Sequence, residues 1–68
     1  MTIDKIKHYL SEPLFYHISG LNKAQLQAQK EALTRHIAHM KQYAADLYSE
    51  NQINLAAEME FINYRLKT

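Results

Sequence analysis

The stretch Lys41–Leu55, KQYAADLYSENQINL, decides whether this chain is one long helix or a helix that doubles back. Upstream, Leu26, Leu33, Ile37, Met40, Ala44 and Leu47 recur at spacings of seven, four, three, four and three. That is a narrow apolar seam of the coiled-coil type. Lys30 interrupts it, and its stem can lie along apolar neighbours with the ammonium in water. The seam fails at Asn51 and Asn54. The stripe that resumes at Leu55 has drifted by most of a quarter turn, at about 100° per residue. Ser49 to Gln52 has the form of a capping box, and Tyr48 with Ile53 that of a hydrophobic staple. The pattern therefore predicts a turn near Tyr48–Asn51, between a long helix over about 22–48 and a last helix over about 50–66. One unbroken helix from Asn22 to Leu66 is the competing reading, because neither Gly nor Pro stands at the junction. Such a helix would be stable only as an oligomer.

The long helix has a clear start in GLNKAQLQ. Asn22 caps it, Gln25 completes a capping box, and Leu21 is placed to staple onto Leu26. Ahead of it lies a helical arm over about 2–19. Thr2 is the expected N-cap of a first helix, Ile3 to Leu10, with Ile3, Ile6 and Leu10 along one side. Pro13 interrupts the arm, since it has no N–H to donate and restrains Glu12. A short second helix, Pro13 to Ser19, should turn Leu14, Phe15 and Ile18 inward. Gly20 is expected to end it in the left-handed conformation. The fold class is thus all-α: one helical domain over residues 1–68, made of an arm (1–20) and an antiparallel helical hairpin (21–68).

Composition narrows the function. With 68 residues, the chain forms one domain at most, and its core supplies roughly 3–5 kcal/mol. Cysteine is absent, which excludes disulfides and thiolate zinc sites. Stability must then come from regular helix packing, self-association or a partner. Met1–Leu10 carries Asp4, Lys5 and Lys7 and does not resemble a signal peptide. No apolar run approaches the roughly 18 residues that span a bilayer. The expected location is the cytoplasm. A net charge of +1 gives no electrostatic case for a nucleic-acid partner. Charge is unevenly spread: residues 1–45 hold six Lys/Arg and three Asp/Glu, and residues 46–68 hold two and four. This polarity could steer docking, although ordinary solvated faces would show it too.

The last helix is apolar on two sides. Leu55, Met59, Ile62 and Leu66 fall within about 60° of one another and should meet Leu26, Leu33, Ile37, Met40 and Leu47 of the long helix. Ile53, Ala57, Phe61 and Tyr64 cluster opposite. The arm could cover this second face as ordinary core. Alternatively the face is a docking surface, because an exposed Ile–Phe–Tyr stripe costs solubility and aromatic anchors form interface centres. Ile53, Ala57, Phe61 and Tyr64 are therefore the candidate partner-binding residues.

Other chemistry is less well supported. His36 and His39 have a spacing that could share a metal, but Asp46 is about 10 Å further along the axis, and a third ligand would have to come from His8 or His17. No metal or cofactor is expected. PLFYHISGLNKAQLQ has the outline of a helix-turn-helix, but its second helix is too long and lacks a basic cluster. Ser11, Ser19 and Ser49 fall at expected helix ends, where hydroxyls cap. Glu58 and Glu60 project to different sides, so they do not form an acid–base pair.

The segments ALTRHIAHMKQY (Ala32–Tyr43) and EMEFINYRLK (Glu58–Lys67) resemble the small co-chaperones of type III secretion needle subunits. The shared features are the Lys-Gln-Tyr run at Lys41–Tyr43 and apolar residues ending in Ile62, Asn63 and Tyr64. The resemblance implies a cytoplasmic helical hairpin that joins a larger helical-repeat chaperone to hold the needle protein unpolymerised. The Pro13–Gly20 element and the lack of a Gly-containing turn before Lys41 depart from that pattern. The expected function is a non-enzymatic protein-interaction module, binding such a chaperone or a copy of itself. The alternative is a small phage- or plasmid-type regulator acting on nucleic acid or on a nucleic-acid enzyme.

Overall fold

A computed structural model describes residues 2–68. It contains four helices, α1 (Ile3–Tyr9), α2 (Glu12–Ser19), α3 (Lys23–Tyr43) and α4 (Ala45–Lys67). No strand occurs among the described residues.

α3 begins as its sequence requires. The Asn22 side chain accepts from the Gln25 N–H at 2.8 Å, and the Gln25 side chain accepts from the Asn22 N–H at 3.0 Å. Two otherwise orphaned donors are satisfied by this reciprocal pair. At the other end the chain reverses through Ala44 alone, with φ −147° and ψ 55°. The expected turn at Tyr48–Asn51 is therefore corrected to Ala44, and the unbroken helix is excluded. Ser49 to Gln52 and Tyr48–Ile53 lie inside α4 and serve as neither box nor staple.

The reason is one of length. Turning at Ala44 gives α3 21 residues and α4 23, so each helix can cover the other from end to end. A turn near residue 50 would leave about 16 residues to pack against a longer α3. Leu26 would then have no partner across the hairpin. No side chain caps α4, and full-length packing offsets that missing cap. The antiparallel register shows in cross-helix hydrogen bonds. Gln29 Nε2 donates to Glu58 Oε2 at 3.5 Å. Near the opposite chain end, Arg65 Nη2 donates to the carbonyls of Ser19 and Leu21 at 2.7 and 2.8 Å. Arg65 thereby ties the end of α4 to the linker between α2 and α3.

The seam supplies the hairpin core. Leu26, Leu33, Met40 and Ile62 are buried, and Ile37, Leu55, Met59 and Leu66 pack half-buried around them. Lys30 is half-buried, as expected for a stem lying along apolar neighbours. Leu47 departs from the expected seam: it stands beyond the turn, on α4, and is 54% exposed.

The arm forms a second, shorter layer. Thr2 caps α1, its Oγ1 accepting from the Lys5 N–H at 3.3 Å. Pro13 sits in the first turn of α2, where its missing N–H interrupts no helical bond. Gly20 ends α2 in a right-handed conformation, φ −90° and ψ −3°, not the left-handed one expected. Ile6, Leu10 and Ile18 are buried in the same core as Leu26 and Ile62, while Ile3 lies at the surface.

Ile62 has no exposed surface and sits where arm and hairpin cores merge. Ile62→Ala should cost about 2–5 kcal/mol, most of the stability of so small a domain. Asn22→Ala, at an exposed cap, should cost about 1 kcal/mol. Urea titration followed by helical circular dichroism measures both.

Candidate docking surface

The two-sided apolar pattern of α4 divides along the helix rather than around it. On the C-terminal half, the arm covers the face opposite α3. Phe15 of α2 stacks on Phe61, with ring centroids 4.6 Å apart and planes inclined by 3°. Lys7 Nζ lies 5.4 Å from the centroid of the Phe15 ring. Ala57 is 0% and Phe61 3% exposed. These two residues are core, which corrects their expected place on an open docking face. The physical reason is that α1 and α2 double back over α4 and supply the partner surface that the stripe needs.

Ile53 and Tyr64 stay open. Tyr64 borders a shallow cleft between α1 and the end of α4, with Ile3, Ile6 and Glu60. Ile53 shares a side with Ala57 but lies one turn nearer the hairpin bend, and it is 54% exposed. The arm turns back at Leu10–Ser11 before covering it.

The same shortfall leaves the front groove between α3 and α4 half filled. Tyr9, Leu10 and Leu14 close one end of a cleft of about 320 Å³. Met40 and Leu55 contribute apolar surface to it, and His36, Asn51, Asn54 and Glu58 contribute polar groups. Towards the bend, two residues extend its lines. Tyr43 follows His36 by seven on α3, and Leu47 precedes Asn51 by four on α4. They are 70% and 54% exposed. The surface beyond the arm thus presents Tyr43, Leu47 and Ile53. Sequence periodicity missed the first two. It assigned Leu47 to the seam because the turn was placed too late, and Tyr43 had no apolar repeat to mark it.

Along α4 as far as Tyr64 the charged residues are all acidic. From Ala45 to Tyr64 the chain carries Asp46, Glu50, Glu58 and Glu60 and no Lys or Arg. Lys41, the lysine of α3 nearest the bend, is turned to the other flank, its Nζ 5.1 Å from the centroid of the Tyr48 ring. His36 and His39 are exposed, and the His39 ring lies 4.8 Å from that of Tyr43. Among the described residues no three His, Asp or Glu side chains group closely enough to hold a metal ion. Ser19 Oγ donates to the Phe15 carbonyl of its own helix at 2.9 Å, Ser11 makes no side-chain cap bond, and Ser49 lies within α4. Ser11 and Ser19 thus stand at the two ends of α2, as expected, though the Ser11 hydroxyl caps nothing, while Ser49 is at no helix end. No described helix is long and apolar enough to cross a membrane. Comparison with protein-family models, curated proteins and solved structures finds no match.

The two halves of α4 should respond differently to a charge. Phe61→Asp places a carboxylate in the core and should abolish the cooperative fold, a loss above about 3 kcal/mol. Ile53→Asp should change stability by no more than about 0.5 kcal/mol. Thermal denaturation of the two variants makes the comparison.

Proposed function

We propose that this protein is a non-enzymatic interaction module that binds another protein through the bend end of its hairpin. The observation that carries this reading is the group of large apolar side chains, Tyr43, Leu47 and Ile53, left uncovered beyond the arm. Exposed apolar groups gathered at one end of a small molecule mark an interaction site more readily than scattered ones. Tyrosine is also among the residues that anchor interfaces most strongly. The binding residues proposed are Ile53 of the original stripe with Tyr43 and Leu47; Tyr64, also exposed, lies at the far end of α4 beside Ile3 and Ile6 and is outside this surface.

The resemblance to secretion co-chaperones supports a heteromeric partner of helical character, and the cytoplasm is the location that fits it. A helical partner needs only a groove with apolar anchors at helical spacing, which the half-filled front groove supplies. The side chains with reactive potential point away from catalysis. The histidines are exposed, and Glu58, the carboxylate that lines the front groove, is engaged by Gln29.

Tagged protein returned to its native host and recovered with its ligands tests the proposal. The wild type should retain a protein partner. The double variant Leu47→Asp, Ile53→Asp should lose it while keeping the wild-type circular dichroism and melting temperature. Retention of the same partner by the variant, or recovery of nucleic acid released by moderate salt, would contradict the reading.

A further inference from the structure

One side chain fastens the joint between arm and hairpin. Arg65 Nη2 donates to the Ser19 and Leu21 carbonyls at 2.7 and 2.8 Å, and these carbonyls stand on either side of Gly20. A single nitrogen reaches both only while the chain bends there. We propose that the arm is exchangeable: two copies of the chain trade residues 2–19, each arm packing on the other copy's α4, and Arg65 is the latch that favours the closed monomer. The exchange concerns the base of the molecule and is independent of the bend-end reading.

The arm packs chiefly on α4. Ile6, Leu10 and Ile18 are buried in the core that α4 shares, and Phe15 stacks on Phe61. Only Gly20, Leu21 and Asn22 lie between α2 and α3. The arm of a second copy remakes all of these α4 contacts, because identical elements exchange without loss of interface. Only the joint differs between the two forms, and short joints invite exchange.

The joint is finely balanced. The two Arg65 bonds place a cation at the end of α2, where it is favoured, and they exist only in the bent form. Arg65 Nε, however, is buried without a hydrogen-bond partner, and an orphaned donor offsets part of that gain. Gly20, the chain's only glycine, has φ −90° and ψ −3°, a conformation open to any residue. A Cβ there would meet only the Tyr16 and His17 carbonyls, at an ordinary 3.7 Å. The closed form therefore has no need of glycine at this position. What glycine supplies is access to other backbone conformations, which an opening joint uses. So short a joint holds the arm at an effective concentration of roughly millimolar, and the exchanged dimer forms only when the protein is concentrated. Leaving α4 uncovers Phe61 and Ile62, so exchange proceeds through the global opening.

The test takes the full-length protein at roughly millimolar concentration, warmed to its melting midpoint and cooled. Size-exclusion chromatography with light scattering should show a dimer that returns to monomer on dilution and rewarming. In a dimer made from mixed isotopically labelled and unlabelled chains, filtered nuclear Overhauser spectra should connect the Phe15 ring of one chain to the Phe61 ring of the other. Arg65→Gln should raise the dimer association constant at least about tenfold. Ala56→Gly, at an exposed position of α4, lowers stability through helix propensity alone and should leave that constant unchanged. A protein that stays monomeric through the cycle, or a dimer whose Phe15–Phe61 contacts all lie within single chains, would overturn the exchange. An Arg65→Gln dimer no more abundant than that of Ala56→Gly would overturn the latch. The wild-type contacts decide the exchange whether or not Arg65→Gln folds.

Discussion

The molecule depends on the burial of α4 from two sides. One side meets α3 through Leu55, Met59, Ile62 and Leu66, and the other meets the arm through Ala57 and Phe61. A two-helix hairpin of this size would leave Phe61 in water. The stacked Phe15–Phe61 pair and the closure of Ile6, Leu10 and Ile18 over α4 join two thin layers into one core. A 68-residue chain without disulfides has little other means of reaching a useful apolar area. Arg65 reinforces the join by holding the carbonyls of Ser19 and Leu21 where the arm passes into α3.

Burial from two sides stops partway along the helix. The chain turns back at Leu10–Ser11 between α1 and α2, while α4 continues to Ala45. The result is a molecule with a well-covered base and a sparsely covered bend. Packing is densest where three elements meet and thinnest around Tyr43, Leu47 and Ile53. Local opening is easiest where few apolar contacts resist it, so the bend end can open without disturbing the base. The proposed function would use that division, with stability at one end and recognition at the other.

Much of this was legible in the residues. The α3 cap followed from Asn22 and Gln25, the α1 cap from Thr2, and the break in the arm from Pro13. The apolar seam identified Leu26, Leu33 and Met40 as core, and the antiparallel hairpin with an arm is the fold observed. The position of the bend was not legible, because Ala44–Ala45 carries no Gly, Pro or capping side chain. Ser49 to Gln52 matches a capping box more closely than the true junction does. What decides between them is the matching of two helix lengths, a property of the whole chain rather than of any window. The error then spread to the surface. Placing the turn late put Leu47 in the seam, and the stripe of Ile53, Ala57, Phe61 and Tyr64 was read as one face with one fate. Periodicity shows that a face is apolar; it does not show how much of that face the arm can reach.

Native-state hydrogen exchange tests most directly whether the arm and α4 form one core. The amides of α4 around Ala57–Ile62 and those of the arm at Phe15 and Ile18 should exchange at the same low rate, through the same global opening. Arm amides that exchange freely while the α3–α4 hairpin remains protected would contradict the account, because the arm would then be an appendage and Phe61 would belong to the surface.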